Sequence, residues 1–362
     1  MTNRTLFLVN GSRKSAAGDR ARRIAERLVT DRDVIVMYRE GSRRYDFARF
    51  ARTSLTSVCD SIYVMELAVV TVAAAAVGSR GRPVVLDTGD APFDFLTLVE
   101  AGRSRVLSAK ALEATAYGIS DEIIVRGQYH EVALRQRHLK RVRVVPDGVD
   151  LGIFIPTEDR ELRRRLGLEG AFTVGIQGHF TWYTPVGGGL GSELIQAIAL
   201  LRNLPVHAVV IGDGVGISHL RLLAAKLGVA DRLHVIGRVP YRELPRYLGL
   251  CDVCLLTQTN DPSSWVRTTG KLPGYLATGR YILASRVGTA ADILPEEMLI
   301  DYQGHWDEEY PAKLADRLDE VYRDPERAAK GLELRSLATK FDYDSVAHMA
   351  AEAVRDAVAE KR

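Results

Sequence analysis

The segment from 267 to 285 contains the residues whose types and spacing best suit an anionic ligand. Its Thr-Thr-Gly at 268–270 can start a helix, and the first N–H groups of a helix have no intrahelical partners and bind negative charge. Lys271 follows in the first turn, where its ammonium can reach a phosphate. Gly279 can end the helix with positive φ, and a buried strand is predicted directly after it, at 281–284. The spacing therefore predicts a site for a phosphorylated ligand.

A glycine pair follows another predicted strand. Gly212 and Gly214 flank Asp213 between an apolar stretch and a helical pattern, and ligands of open α/β sheets lie at such strand ends. Ile217 occupies the third glycine position of the dinucleotide fingerprint, which argues against a dehydrogenase. Taken alone, an ordinary strand–helix turn is the better interpretation.

The loop that begins at Gly175 and includes Gly178 and His179 is richer in glycine. Small residues let a backbone approach a diphosphate closely, although a mobile surface loop is the alternative interpretation. We expect Ser192 to act as the N-cap of the helix that follows. The loop glycines are Gly187, Gly188, Gly189 and Gly191.

Carboxylates lie just past a strand of the first half of the chain, at Asp87, Asp90 and Asp94. A carboxylate at a strand end can orient a sugar hydroxyl or accept its proton, and Asp90 is our candidate for that role. Helix capping and solvent exposure explain these residues equally well. We interpret Glu113, on a predicted helix, as structural.

Two further patterns have simpler explanations. Cys251 and Cys254 have C-x-x-C spacing, but no second pair completes a zinc site, so core packing is favoured. A basic helix follows the first strand and is typical of a solvated face. Its second interpretation is peripheral contact with an anionic membrane or acceptor. The basic residues of this helix are Arg20, Arg22, Arg23 and Arg27.

Short apolar stretches alternate with helical patterns along the whole chain, from the strand at 6–9 to the helix at 343–360. Such alternation indicates parallel sheets covered by helices on both faces. The stretch 142–156 ends a strand at Pro146 and continues with turn chemistry, after which the alternation restarts. We therefore expect two parallel α/β domains with a cleft between them.

Composition narrows the class of protein. The 362 residues are enough for two domains, and 46% hydrophobic residues can form sizeable cores. A net charge of +3 is too small for a general nucleic-acid binder. Three cysteines indicate a reducing compartment. The N-terminus lacks a signal-peptide layout, and the longest apolar run, 67–77, is too short to cross a bilayer. A cytoplasmic protein is expected.

Three stretches together resemble the retaining glycosyltransferases of family four, which have the GT-B fold. The family pattern K-L-x-E-Y-x-A-x-G-x-P-v-x-x-S is similar to K-L-P-G-Y-L-A-T-G-R-Y-I-L-A-S here, and its linker pattern v-I-P-N-G-V-D-x-x-x-F-x-P is similar to 142–156. The order G-x-G, then G-x-V, also matches. The identities in the first pattern are Lys271, Leu272, Tyr275, Ala277, Gly279 and Ser285.

The resemblance implies an α/β protein of the GT-B fold, with two Rossmann-like domains facing a central cleft. It implies an acceptor-side domain at 1–152, a nucleotide-sugar domain at 153–340 and a C-terminal helix, 341–362, that returns to the first domain. Asp90, Lys271 and Arg267 are the expected catalytic residues. The expected donor-binding residues are Gly178, His179, Gly212, Asp213, Gly214, Arg238, Val239, Thr269, Gly270, Lys271, Leu272 and Gly274.

Two departures from the family pattern affect this site. His179 stands where the family has Arg, and the loop lacks the family's Lys, so Arg267 and Lys271 are expected to carry most of the charge that faces the diphosphate. Gly274 replaces the Glu that hydrogen-bonds the nucleotide ribose in the family.

The resemblance predicts a retaining transferase, and the absence of a D-x-D motif from the expected place is consistent with metal independence. Its co-substrate is a nucleoside-diphosphate sugar, with no cofactor, and its acceptor is a glycan, a lipid-linked molecule or a small molecule. No nucleic acid is expected as a partner. Peripheral contact with the inner membrane face is included in the prediction. The alternatives are a catalytically weak GT-B subunit that binds a partner enzyme, a sugar-nucleotide epimerase and a plain nucleotide-binding module.

Overall fold

A computed structural model describes residues 3–30, 32–139, 141–183, 187–267 and 269–361. The chain forms two compact units. Unit 1 comprises Met1–Gly148, Pro262–Thr268 and Phe341–Arg362, and unit 2 comprises Val149–Asp261 and Thr269–Lys340. The domain limits expected at 152 and 340 stay a prediction, since compactness alone does not define a domain that folds independently.

Each unit contains a parallel sheet of six strands within the described residues. The strands of unit 1 are β1 (Arg4–Val9), β2 (Asp33–Tyr38), β3 (Ser61–Met65), β4 (Val84–Thr88), β5 (Glu122–Val125) and β6 (Val142–Val144). Those of unit 2 are β7 (Phe172–His179), β8 (Val206–Asp213), β9 (Leu233–Gly237), β10 (Val253–Leu256), β11 (Tyr281–Ser285) and β12 (Leu299–Ile300).

Helices connect the strands. The helices of unit 1 are α1 (Ala16–Leu28), α2 (Arg43–Thr56), α3 (Val69–Gly78), α4 (Pro92–Leu98), α5 (Arg103–Ile119), α6 (Gln128–Gln136), α11 (Pro262–Val266) and α16 (Tyr343–Glu360). Those of unit 2 are α7 (Arg160–Arg165), α8 (Ser192–Leu200), α9 (Gly216–Lys226), α10 (Leu244–Leu248), α12 (Lys271–Ala277), α13 (Gly288–Ile293), α14 (Tyr310–Arg323) and α15 (Arg327–Glu333). No helix in the described part of the chain is both long and apolar enough to span a bilayer.

Strand order fixes where a ligand can approach each sheet. Unit 1 has the order β2-β1-β3-β4-β5-β6, and unit 2 has the order β12-β11-β10-β7-β8-β9. All pairs within both sheets are parallel, so the carboxyl ends of the strands share one edge of each sheet. In each sheet, the chain first adds strands on one side of the first strand and then crosses over to add the rest on its other side. This crossover point lies between β1 and β3 in unit 1, and between β7 and β10 in unit 2. These crossover points are the crevices where open α/β sheets bind ligands.

A buried charge network ties together the strand ends of unit 1. The Asp87 carboxylate, at the end of β4, accepts hydrogen bonds from Arg20 Nε at 3.0 Å and from Tyr63 Oη at 2.7 Å. Asp147 Oδ1 lies 3.4 Å from an Arg20 nitrogen and 3.5 Å from an Arg126 nitrogen. Asp87 is completely buried, so it is a structural carboxylate and not one available to a substrate.

The prediction of a solvated basic face on α1 is wrong. Arg20 and Arg23 are buried. Arg22 and Arg23 pair with carboxylates of their own helix, and Arg27 pairs with Asp344 of α16. Since α1 packs on α16, these side chains serve packing and charge pairing inside unit 1.

Candidate functional site

The helix that carries Lys271 begins as the sequence predicts. α12 starts at Lys271, with Gly270 as its N-cap residue, and Thr269 Oγ1 accepts a hydrogen bond from the Lys271 N–H at 3.3 Å. Thr268, also expected to contribute to this helix start, lies outside the described residues. Gly279 follows the helix with a φ of 63° and leads into the buried strand β11.

The Lys271 side chain lies against the carboxyl end of β7, which borders the crevice of unit 2. A Cβ built on Gly178 would meet Lys271 Cε at 3.1 Å and Nζ at 3.5 Å. Gly178 has a φ of 151°, so glycine there both adopts the backbone conformation and leaves room for the lysine.

This ammonium is partly buried and has no ion-pair or hydrogen-bond partner among the residues that the structure describes. Desolvation by burial lowers the pKa of Lys271 to about 8. An anion that binds beside such a lysine stabilises its charged form, because the anion replaces the lost solvation.

Glycines allow the ends of β7 and β8 to pack closely. Gly178 pairs with Gly212, and His179 pairs with Asp213. A Cβ on Gly212 would meet the Gly178 carbonyl oxygen at 1.9 Å, and one on Gly214 would meet the Phe180 carbonyl oxygen at 2.2 Å. Contacts within the protein therefore require both glycines, whatever they do for a ligand.

The other charged residues predicted for this edge of unit 2 are paired with each other. His179 Nδ1 lies 3.1 Å from Asp213 Oδ1, and Arg238 Nη1 lies 3.9 Å from Asp213 Oδ2. All three side chains are exposed, so the attraction between them is weak. Val239 follows Arg238 just past the end of β9 and is half-buried. The Asp213 carboxylate can accept a hydrogen bond from a ribose hydroxyl, whereas it would repel a phosphate.

The glycine-rich loop is shaped by contacts within unit 2. A Cβ on Gly188 would overlap the Trp306 ring, and one on Gly189 would meet the Thr181 carbonyl oxygen at 2.1 Å. The prediction that Ser192 caps α8 is wrong, because Gly191 is the N-cap residue, in the left-handed region with a φ of 93°. Ser192 Oγ instead donates to the Gly189 carbonyl at 2.7 Å and so closes the loop.

Two residues predicted to bind the donor, Leu272 and Gly274, are buried in unit 2. Leu272 is 2% exposed. Gly274 is buried, and a Cβ there would lie 3.2 Å from the Phe154 ring. Any side chain at 274 would begin against that ring, so glycine here has a packing role that the sequence pattern did not reveal.

Two of the predicted catalytic residues meet in unit 1. Arg267 Nε lies 3.4 Å from Asp90 Oδ1, and the guanidinium lies over the Phe95 ring at 4.7 Å from its centroid. Thr88 Oγ1 accepts from the Asp90 N–H at 3.2 Å and fixes the turn after β4. Sequence reasoning missed Phe95, for which the only signal was an aromatic residue directly after Asp94 of the acidic stretch.

The remaining carboxylates of this region are structural. Glu113 is buried and accepts a hydrogen bond from the Phe93 N–H at 2.8 Å, as a cap on α4. Arg137 pairs with both Glu113 and Asp94, at 3.2 and 3.1 Å. Within the described ranges, no three His, Cys, Asp or Glu side chains are placed to hold a metal ion together. Cys251 and Cys254 are free and buried, in line with core packing.

Comparisons with known proteins confirm the predicted resemblance at the level of the family. Residues 192–331 match the family "Glycosyl transferases group 1". The D-inositol 3-phosphate glycosyltransferase of Acidothermus cellulolyticus is 28% identical over 238 residues, which cover 61% of this chain and 49% of that protein. The chain therefore spans about half the length of the curated relatives that it matches.

Solved structures confirm the predicted GT-B fold class. HepE of Anabaena, in complex with UDP-glucose, is similar with a TM-score of 0.77 at 19% identity, covering 98% of this chain and 99% of that one. Sucrose-phosphate synthase of Thermosynechococcus elongatus is similar with a TM-score of 0.76 at 17% identity, covering 99% and 100%. At these identities, the likeness concerns the fold alone.

The lowered pKa of Lys271 predicts that this residue destabilises the protein without ligand. Below pH about 8 the lysine is charged in both states, so the folded state carries the full cost of dehydration. Between pH about 8 and about 10.4 the folded state loses the proton first, and the free energy of unfolding rises with pH. Lys271→Met should therefore stabilise the protein by about 1–2 kcal/mol at pH 7 and by little above pH about 10.4.

Urea unfolding of the wild type and the variant across this pH range measures the difference. Lys226→Met is the matched control, because Lys226 is exposed on α9 of the same unit. An equal effect of Lys271→Met at both ends of the range would contradict the burial of a charged amine.

Proposed function

We propose that this protein is a glycosyltransferase that moves a sugar from a nucleoside-diphosphate sugar to an acceptor hydroxyl, with retention of anomeric configuration and without a metal ion. The observation that carries the proposal is the partly buried ammonium of Lys271 beside the end of β7, which has no ion-pair or hydrogen-bond partner within the described part of the chain. It lies at the crossover point in the unit whose residues 192–331 match a glycosyltransferase family.

The chemistry of glycosyl transfer needs a cation in such a place. When the bond between the anomeric carbon and the phosphate oxygen breaks, negative charge develops on the departing diphosphate. A fixed ammonium in a partly desolvated position stabilises that charge more strongly than water does, since it needs no reorganisation. We assign this role to Lys271, with the helix start at Thr269 and Gly270 as further donors.

The nucleotide is proposed to extend along the ends of β7, β8 and β9. Gly178 and Gly212 offer backbone without side chains, and Asp213 offers a carboxylate to a ribose hydroxyl. UDP is the first nucleotide to test, because HepE, which shares the fold, binds UDP-glucose. Retention rests on the family resemblance.

Asp90 is proposed to orient the acceptor hydroxyl in unit 1. Its carboxylate is more than half exposed, and Arg267 holds it on one side. The geometry therefore supports a different role for Arg267 from the one that the sequence suggested. Arg267 positions Asp90, and Lys271 carries the larger share of the charge that faces the diphosphate.

A second candidate function is a catalytically weak subunit or nucleotide-binding partner protein. The buried Gly274 favours it, because a ribose-binding Glu at this position would start in tight contact with the Phe154 ring, 3.2 Å from its Cβ. Hydrolysis of the donor in the absence of an acceptor separates the two candidates, since a silent subunit binds the nucleotide without turnover.

Lys271→Ala should weaken the binding of UDP by about 10- to 100-fold, which corresponds to about 1.5–3 kcal/mol, because one charge-assisted contact is lost. The binding of uridine, which has no phosphate, should change less than about twofold. Isothermal calorimetry of both ligands with the wild type, Lys271→Ala and the surface control Lys226→Ala measures the difference. Equal losses for UDP and uridine in Lys271→Ala would overturn the phosphate role.

Donor turnover should persist when divalent metals are chelated. The physical reason is that a fixed ammonium supplies the positive charge that Mg²⁺ provides in metal-dependent transferases. Donor hydrolysis with and without EDTA is the measurement. Activity that is lost with EDTA and restored by Mn²⁺ would contradict the metal-independent mechanism.

A further inference from the structure

A shallow apolar pocket in unit 1 has no role in the donor chemistry. It has a volume of about 340 Å³. Its walls are Leu67, Val69, Pro92, Leu96 and Leu112, with more apolar than polar surface. This size is at the lower end for small-molecule sites and fits one hydrocarbon or aryl group.

The position of the pocket links it to the substrate edge of unit 1. Leu67 comes two residues after β3, and Pro92 comes four residues after β4, so both walls lie at the carboxyl ends of neighbouring strands. β3 also borders the crossover point, where ligands bind. Pro92 is two residues from Asp90, the proposed partner of the acceptor hydroxyl.

Apolar side chains near this pocket remain exposed. Val69, in the pocket wall, is 64% exposed, and Leu107, on the helix that forms one wall, is 57% exposed. Isolated exposed aliphatic residues are ordinary, but here one of them faces a concave surface at a ligand-binding edge. Filling the pocket would remove the exposed surface of Val69 from water.

The rim of the pocket is basic. Arg105 lines it and is exposed, and its guanidinium has no ion-pair or hydrogen-bond partner in the described ranges of the chain. Ser104 and Ser108 lie beside it, and Ser108 Oγ donates to the Ser104 carbonyl at 2.8 Å. A ligand that places an apolar group in the pocket would bring an attached anion next to an unneutralised guanidinium.

We propose that this pocket binds the acceptor, and that the acceptor is amphipathic, with an apolar hydrocarbon or aryl group next to an anionic phosphate or carboxylate. The inference rests on the proposed glycosyl transfer and specifies its acceptor class. The apolar group fills the space between Leu67, Pro92 and Leu96, Arg105 pairs with the anion, and the hydroxyl extends towards Asp90.

Binding of three probes tests the proposal: hexyl phosphate, hexanol and inorganic phosphate. Wild-type protein should bind hexyl phosphate at least about tenfold more tightly than either of the others. Arg105→Ala should weaken hexyl phosphate about tenfold and leave hexanol unchanged, whereas Leu96→Asp should weaken both. Phenyl phosphate, compared with hexyl phosphate, distinguishes an aryl group from a hydrocarbon chain. Leu107→Asp, on the same helix as Arg105 but outside the pocket lining, is the control.

Two results would overturn the assignment. One is hexyl phosphate binding no more tightly than inorganic phosphate, and the other is Leu96→Asp behaving like the Leu107→Asp control. UDP affinity, measured on the same preparations, checks that each variant is folded. Donor hydrolysis distinguishes a failure of this inference from a failure of the proposed glycosyl transfer. If the probes bind in the pattern above but the donor is not hydrolysed, the pocket binds amphipathic anions and the transferase proposal is wrong.

Discussion

The Lys271 ammonium is partly buried and has no carboxylate partner in the part of the chain that the structure describes, and the proposed site depends on this constraint. Dehydrating a charge costs free energy, and that cost persists in the folded protein until an anion arrives. The local backbone is arranged to allow it, because Gly178 leaves the space that the lysine chain occupies. The same cost that lowers the pKa to about 8 therefore provides part of the affinity for a diphosphate.

The other charged groups near the strand ends contrast with this lysine. Asp87 and Arg20 are buried together, and Arg267 is held by Asp90 in unit 1. Arg238 and His179 share Asp213 in unit 2. A cation paired in this way attracts an anion less strongly than an unpaired one, because the neighbouring carboxylate repels the anion. The positive charge that a ligand meets therefore depends on which basic side chains lack a carboxylate partner, and the number of basic residues does not determine it.

The sequence predicted the limits of helices and strands better than it predicted which residues pack around a given side chain. Helix α16 has the limits expected, 343–360, and β11 runs one residue past the strand expected at 281–284, because apolar patterns with clear breakers define both elements locally. The burial of Arg20 was not predictable, since its partner Asp87 lies 67 residues away. Likewise, the glycines at 188 and 274 suggested ligand contact, but their neighbours Trp306 and Phe154 come from distant parts of the chain. Hydrophobic periodicity predicts local secondary structure, but contacts between side chains that are distant in the sequence become visible only in the folded structure.

Proton uptake on UDP binding tests the central claim most directly. If a diphosphate binds beside a lysine whose pKa is about 8, the complex raises that pKa and the protein takes up protons. Calorimetry in buffers of different ionisation enthalpy, from pH about 7 to about 10, should show uptake that rises towards one proton near pH about 9 and is absent in Lys271→Ala. Binding of UDP to the wild type with no proton uptake across this range would contradict the account.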